Sequence, residues 1–373
     1  MLIQIHMLQN YAPSNLNRDD TGSPKDAVFG GVRRGRISSQ CLKRSIRRSQ
    51  IIANAFGADG LLASRTKRLP DLIASELTAM GVAPEDVAAI VQRVPEIGRE
   101  STKASGARRD GEEPLETRQL IFVAPNELRP LAAALLAQYR DAGKKWESTK
   151  IDQITEGLKG TMPRSVDVAM FGRMTTSAAF EDVQAAVQVA HALSTNALTQ
   201  EFDYYTAVDD LSGESGAGMI GDVEFNSSTY YKYLNVHWEG LLANLGGDTE
   251  VCQRAVLALV EAAAKAQPSG KQNSFAAQNL PDLVFIEVRE QNLPVSYANA
   301  FVQPVRSGPN GIPSLMENSI HALMDYVGRM RRMYDLDGDQ RAAACSLDLE
   351  LPDLTVLPSL SALQAWLGDR LPA

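Results

Sequence analysis

Residues 25–50 read KDAVFGGVRRGRISSQCLKRSIRRSQ. After Asp26 the stretch holds no acid. Between Arg33 and Arg48 it holds seven cations: Arg33, Arg34, Arg36, Lys43, Arg44, Arg47 and Arg48. Ser38 or Ser39 can cap a helix by accepting a backbone N–H from its first turn, and the spacing that follows predicts that helix to about Phe56. At about 100° per residue, Lys43, Arg44, Arg47 and Arg48 fall within an arc of about 140°. Leu42, Ile46, Ala53 and Phe56 fall on another face, so the helix can bury one side and present cations on the other. Gly30-Gly31 permits close approach of a backbone. The helix start adds free amides and a positive dipole end, and Ser38, Ser39 and Gln40 add donors. This combination suits phosphate oxygens. The blander reading of the same residues is a solvated charged helix face.

Upstream, LIQIHML (2–8) alternates, Ile3, Ile5 and Met7 against Gln4, His6 and Leu8, which predicts a strand. A histidine on such a strand is an interior group before it is a catalyst. A polar loop is expected from there through about Gly31. Downstream, three segments of 57–165 have helical spacing: PDLIASELTAM (70–80), APEDVAAIVQRV (83–94) and NELRPLAAALLAQYRDAGKKW (126–146). GRESTKASGARRDGEEP (98–114) between them reads as an exposed loop. SVDVAMF (165–171) reads as a short strand and about 176–195 as a helix. Residues 201–236 change character, with Tyr, Thr and Val segments flanking LSGESGAG, and predict a long hairpin arm. Within it Tyr231 and Tyr233 are expected to pack the root, and Tyr204 and Tyr205 to meet bases by stacking. A helix at about 248–266, a strand at 283–288 and a helix at about 315–333 follow, then SLSALQAWLGDRL. Strands separated by helices, with a hairpin, indicate an α+β fold. Neither a P-loop nor a G-x-G-x-x-G follows any strand.

The 373-residue chain carries a formal charge of −8. Since residues 33–48 carry +7, everything else carries −15. That balance argues against unspecific adhesion to nucleic acid and for one oriented anion site. Three scattered cysteines, Cys41, Cys252 and Cys345, fit a reducing cytoplasm. No apolar run reaches the length of a membrane span, and the N-terminus lacks the pattern of a signal peptide. His6, His191, His237 and His321 are not at metal-ligand spacing, so no metal and no cofactor is expected.

NLNRDDTGSPKDAVFGGVRRGRISSQCLKRSIRRS (15–49) resembles the N-terminal signature of the CasC-type backbone subunits of Cascade, the type I-E CRISPR surveillance complex, within the RRM-like RAMP superfamily. VDVAMFGRMTTS (166–177), DYYTAVDDL (203–211), EFNSSTYYKY (224–233), GKQNSFAAQN (270–279) and VSYANAF (295–301) extend the resemblance in order. It implies an RRM/ferredoxin-like palm, a helical fingers insertion and a long β-hairpin thumb. The implied layout is palm at 1–56, fingers at 57–165, palm at 166–200, thumb at 201–236, and palm with C-terminal helices at 237–373. It also implies a non-catalytic subunit that stacks head-to-tail with further copies of itself along guide RNA (crRNA). The thumb kinks the RNA at intervals, leaving the bases between free to pair with a target DNA strand. Implied partners are large, small, 5′-handle-binding and 3′-hairpin-processing subunits and a recruited nuclease-helicase. Position by position, it points to Lys25, Ser38, Gln40, Lys43, Arg44 and Arg47 as phosphate contacts, and to Met174 as an apolar wedge. Tyr204, Tyr205, Thr206 and Val208 match the thumb root, Met219 the target-facing side and Lys271 a basic loop. Where the family often has a lysine, this chain has Val32.

Two other readings compete. A metal-dependent endoribonuclease would use Asp19, Asp20 or Asp209. A transcription regulator would place the basic helix in a duplex major groove.

Overall fold

The computed structural model describes residues 1–97, 115–117, 119–150, 153–154, 158, 162–175, 179–207, 211, 219–336 and 338–372. The chain divides into two compact units, one of residues 1–52, 187–238 and 253–373, the other of residues 53–186 and 239–252.

The first unit is built on a strand–helix–strand–strand–helix–strand series. Its members are β1 (Leu2–Ser14), α1 (Ser39–Arg47), β7 (Ala192–Ser194), β9 (Met219–His237), α8 (Thr249–Lys265) and β10 (Leu283–Arg289). The strands lie in the order β10-β1-β9-β7 with every neighbouring pair antiparallel. This is the ferredoxin-like palm arrangement, and the fold is α+β. The sheet grows to ten strands. β3 (Val32–Ile37) and β2 (Asp26–Phe29) extend it past β7, and β11 (Gln340–Cys345) and β12 (Thr355–Leu357) past β10. β6 (Val187–Val189) and β8 (Glu201–Ala207) pair with β9.

Both faces of β1 are buried. On one, His6 stacks among Tyr231, Tyr233, Phe285 and Tyr297, with ring centroids 4.8–6.1 Å apart. Ile320, Leu323 and Val327 of α10 (Leu315–Tyr334) cover this face. His6 Nδ1 lies 2.7 Å from the Tyr231 hydroxyl and Nε2 lies 3.3 Å from Glu287, to which Tyr297 donates at 2.9 Å. His6 is thus an interior group with polar partners, and the aromatics that an open sheet would offer to bases are core here. On the other face the buried Lys232 donates to the Ala263 carbonyl at 2.8 Å. Burial pulls its pKa down to about 7.

Four local expectations are corrected. Residues 26–31 are not all loop: Gly30-Gly31 is the two-residue turn of the β2–β3 hairpin, with φ of 60° and 76°. Positive φ at both positions gives the turn whose twist matches that of its strands. The Gly30 backbone lies close against the Val302 carbonyl, not against an open ligand position. The single helix expected to Phe56 breaks at Arg48 into α1 and α2 (Gln50–Phe56), and the Ser49 hydroxyl accepts the Ile52 N–H. The segment expected as a helix at about 176–195 holds β6 and β7, where Val187 and Val189 are buried and Gln188 exposed, while 176–178 lie outside the described residues.

The fourth correction lies in the second unit, where SVDVAMF forms α6 (Val166–Phe171), not a strand. This unit also holds α3 (Leu69–Ala79), α4 (Pro84–Val91) and α5 (Pro125–Ala142). Ile73, Leu77, Ile90, Leu131, Leu135 and Trp146 are among the residues of its apolar core. β4 (Ser64–Thr66) pairs with β5 (Ile121–Val123). Arg173 and Glu127 form a buried two-bond ion pair at 2.8 Å. The expected exposed loop 98–114 falls outside the described residues.

Candidate nucleic-acid interface

Asn17 organises the start of α1. Its side-chain oxygen accepts the Ser38 N–H and its main-chain carbonyl accepts the Lys25 N–H, both at 2.8 Å. The Lys25 carbonyl in turn accepts the Arg36 N–H at 2.9 Å. Three expected site residues, Lys25, Arg36 and Ser38, are thereby gathered at one helix end. The Ser38 hydroxyl caps the helix by accepting the Cys41 N–H at 3.3 Å, and Ser39 N–H donates to His191 Nδ1 at 3.3 Å. The Gln40 side chain is exposed, and its backbone N–H has no intramolecular partner among the described residues.

Positive charge converges here. Burial first, then Arg36 and Lys25, lowers the His191 pKa, which favours the neutral imidazole that can accept from Ser39. Lys25 and Arg44 also act on the Cys41 thiol, opposing the burial that raises its pKa. No acid occupies the first turn of α1, so these fields add to the dipole end. Along α1, Lys43 and Arg47 are half-buried and Arg44 is exposed. Burial lowers the Lys43 pKa. A capped helix start ringed by Lys25, Arg36 and Gln40 can hold an oxyanion by direct donation.

Arg34 is a correction. It is fully buried, and its guanidinium donates to the carbonyls of Ser194 (3.1 Å), Thr195 (2.9 Å), Phe301 (2.8 Å) and Val302 (3.1 Å). It joins β3 to β7 and to the 301–302 segment, and it is closed off from phosphate. Arg33, one residue earlier, points the other way, as strand geometry requires. It is exposed, but it pairs across the hairpin with Asp26, donating from Nε at 2.7 Å.

The arm is present as β8 paired with the outer half of β9. Tyr204 and Tyr205 are 65% and 40% exposed, whereas Tyr230, Tyr231 and Tyr233 are buried. Thr206 pairs with Ile220 and Ala207 with the exposed Met219. Val208, Asp209 and Asp210 lie outside the described residues. Asn15 ties the arm root to the loop carrying Lys25, donating to the carbonyls of Glu224 and Gly22 at 2.9 Å. Lys271 is half-buried before α9 (Gln272–Phe275), whose Phe275 ring stands 5.7 Å from that of Phe225 at the same root.

Met174 belongs to the second unit and is 93% exposed. Arg173 and Val183 exchange backbone bonds at 2.9 and 2.8 Å, and Thr175 N–H donates to Asp182 at 2.6 Å. An apolar side chain is thus held out to solvent on a firmly bonded bridge. Asp19, a candidate metal ligand, accepts from Thr21 N–H, the Thr21 hydroxyl and Ser23 N–H at 2.8–3.0 Å. These bonds, the hydroxyl's foremost, lower its pKa and shape the loop.

Asn15, Asn17 and His191 were not singled out by sequence. The two asparagines carried a usable signal, since Asn beside a turn commonly bonds nearby backbone. His191 carried none.

The chain matches the CT1975-like protein family over residues 3–364. It belongs to that family. Among solved structures it is similar to a chain of a "CRISPR RNA-guided surveillance complex, pre-nicking", with 32% identity, a TM-score of 0.82 and 100% of both chains covered. It is also similar to a chain of a "CRISPR RNA-guided surveillance complex", with 28% identity, a TM-score of 0.73, and 99% of this chain and 100% of that one covered. The comparison with curated proteins gave no match.

Proposed function

We propose that this chain is a non-catalytic guide-RNA-binding subunit of a CRISPR surveillance complex of the type I-E, Cascade kind, working in the cytoplasm. It holds crRNA by its phosphates and stacks head-to-tail with copies of itself beside the other Cascade subunits. Its arm and Met174 kink the strand so that intervening bases can pair with target DNA. Sequence is then read by base pairing, and the protein needs only a sequence-blind grip. Cleavage falls to a recruited nuclease-helicase.

The observation that carries this reading is the convergence of Lys25, Arg36 and Gln40 on the Ser38-capped, acid-free start of α1. Similarity to chains of CRISPR RNA-guided surveillance complexes supports it. The engagement of Asp19 by its own loop weakens the endoribonuclease alternative.

The test is RNA binding by the Lys25→Glu/Lys43→Glu chain for two unrelated guide sequences across a salt series. Equal loss on both guides is expected, with a salt slope shallower by about one per phosphate contact removed. Loss confined to one guide, or no loss, refutes the phosphate grip.

A further inference from the structure

The cations of α1 form two rows. Lys43 and Arg47 are half-buried along one flank. Arg44 and Arg48, one turn apart and exposed, lie about 100° further round the helix and line a groove of about 570 Å³. Ser45 and Ser49 continue that wall, and Lys265 at the end of α8 and Ser269 in the segment after it complete the lining. No acid lines the groove.

Among the described residues neither the Arg44 nor the Arg48 guanidinium has a hydrogen bond or ion pair. Arg33, Arg173 and Arg289, by contrast, each pair with a carboxylate, and Arg34 with carbonyls. Lys265 pairs with Glu261 at 2.6 Å, and both remain partly exposed. The wall beneath is fixed, because Gln267 accepts from Tyr11 at 2.5 Å and from Gln9 at 3.0 Å.

Two unpaired guanidinium groups one turn apart repel each other, and a row of shared anions relieves that repulsion. Their separation along the helix, about 6 Å, is close to that of neighbouring phosphates in a nucleic-acid strand. Arginine forks, an ammonium and serine hydroxyls are the donors that phosphodiesters recruit. We propose that this groove, through Arg48, Lys265 and the serines, is a second phosphodiester-binding track beside the capped helix start, with Arg44 standing between the two. Its ligand is either a further stretch of the guide RNA or the backbone of a second strand. The inference rests on the proposed function only in placing nucleic acid in the assembly.

The experiment compares the RNA-loaded complex carrying Arg48→Glu/Lys265→Glu with the unaltered complex. Guide-RNA retention and binding of duplex DNA lacking any complementary sequence are both measured across a salt series. A loss of about tenfold or more in RNA affinity identifies the guide as ligand. The same loss in DNA binding, with RNA retained, identifies a second strand. Unchanged binding of both overturns the proposal. So does a change confined to self-association of the RNA-free chain, which would mean an acidic protein surface fills the groove.

If Lys25→Glu/Lys43→Glu leaves RNA binding intact while this pair weakens it, the capped-helix reading fails and the groove stands. Should the glutamate pair misfold, amine acetylation of Lys265 in the unaltered complex decides. Protection that nuclease digestion removes supports the track. Protection that survives digestion, or no protection, overturns it.

Discussion

Replacing Arg34 by lysine keeps the charge and tests whether this residue is a strut or a nucleic-acid contact. The guanidinium reaches four carbonyls on two separate segments. An ammonium has three donors fanned from one point, and the Thr195 carbonyl keeps the Val305 N–H, so about one carbonyl is left unpaired. A buried group left unpaired costs about 1–3 kcal/mol. At about 2–4 °C per kcal/mol for a unit of this size, the melting temperature should fall by around 6 °C. Arg33→Lys, at an exposed pair, should change stability by less than about 1 kcal/mol. Thermal unfolding followed by tryptophan fluorescence, with RNA salt slopes measured on the folded fraction, checks both. If Arg34→Lys melts within about 2 °C of the parent and instead flattens the salt slope, Arg34 is a phosphate ligand and the buried-strut account is wrong.

Lys232→Met should alter the pH dependence of stability. The folded pKa, about 7, lies below the unfolded value of about 10.4. Between them the unfolded chain holds the extra proton, and stability rises with pH. Buried Cys252, raised to about 12, acts the other way once unfolded thiols ionise near pH 8.5. Between about pH 7 and 8.5 the parent should gain roughly 2 kcal/mol on the methionine variant; parallel urea-unfolding curves would contradict this. Arg173→Met strands the buried Glu127 carboxylate and should cost about 3–5 kcal/mol, read as a lower urea midpoint. Tyr204→Ala with Tyr205→Ala should leave the melting temperature nearly unchanged and weaken RNA binding by about 1–3 kcal/mol per stacked base; an unfolded variant would mean these rings are core.

The palm strands were legible because they differ in pattern from their surroundings. β1 alternates, LVFIEV is a compact apolar run, and α8 and α10 have clear helical spacing. Misreadings came where period carries no information. Residues 166–170 of α6 are all buried, Asp167 included, so a short, mostly apolar run could not distinguish strand from helix. The alanines around β6 and β7 favour helix locally, but tertiary pairing with β9 overrides them. Arg34 reads as one more cation of its run because nothing in the sequence marks residues 32–37 as a strand. Once β3 is recognised as a strand, Arg33 and Arg34 must face opposite sides. The site itself was half visible: the cations and Ser38 stand in one run, while Asn17, which gathers them, shows its role only in three dimensions.

β9 is a single strand of nineteen residues. Its outer part forms the arm with β8, and its inner part, from Asn226 to His237, pairs with β1. At about 3.3 Å per residue it spans roughly 60 Å. The arm is therefore a cantilever anchored in the sheet, leaving it where the β1 ladder shifts register between Tyr11 and Ser14. Load on the paired arm strands is delivered to the β1 ladder, and the twist of the palm sets their direction. Core substitutions far from any ligand would then re-aim the arm without touching it.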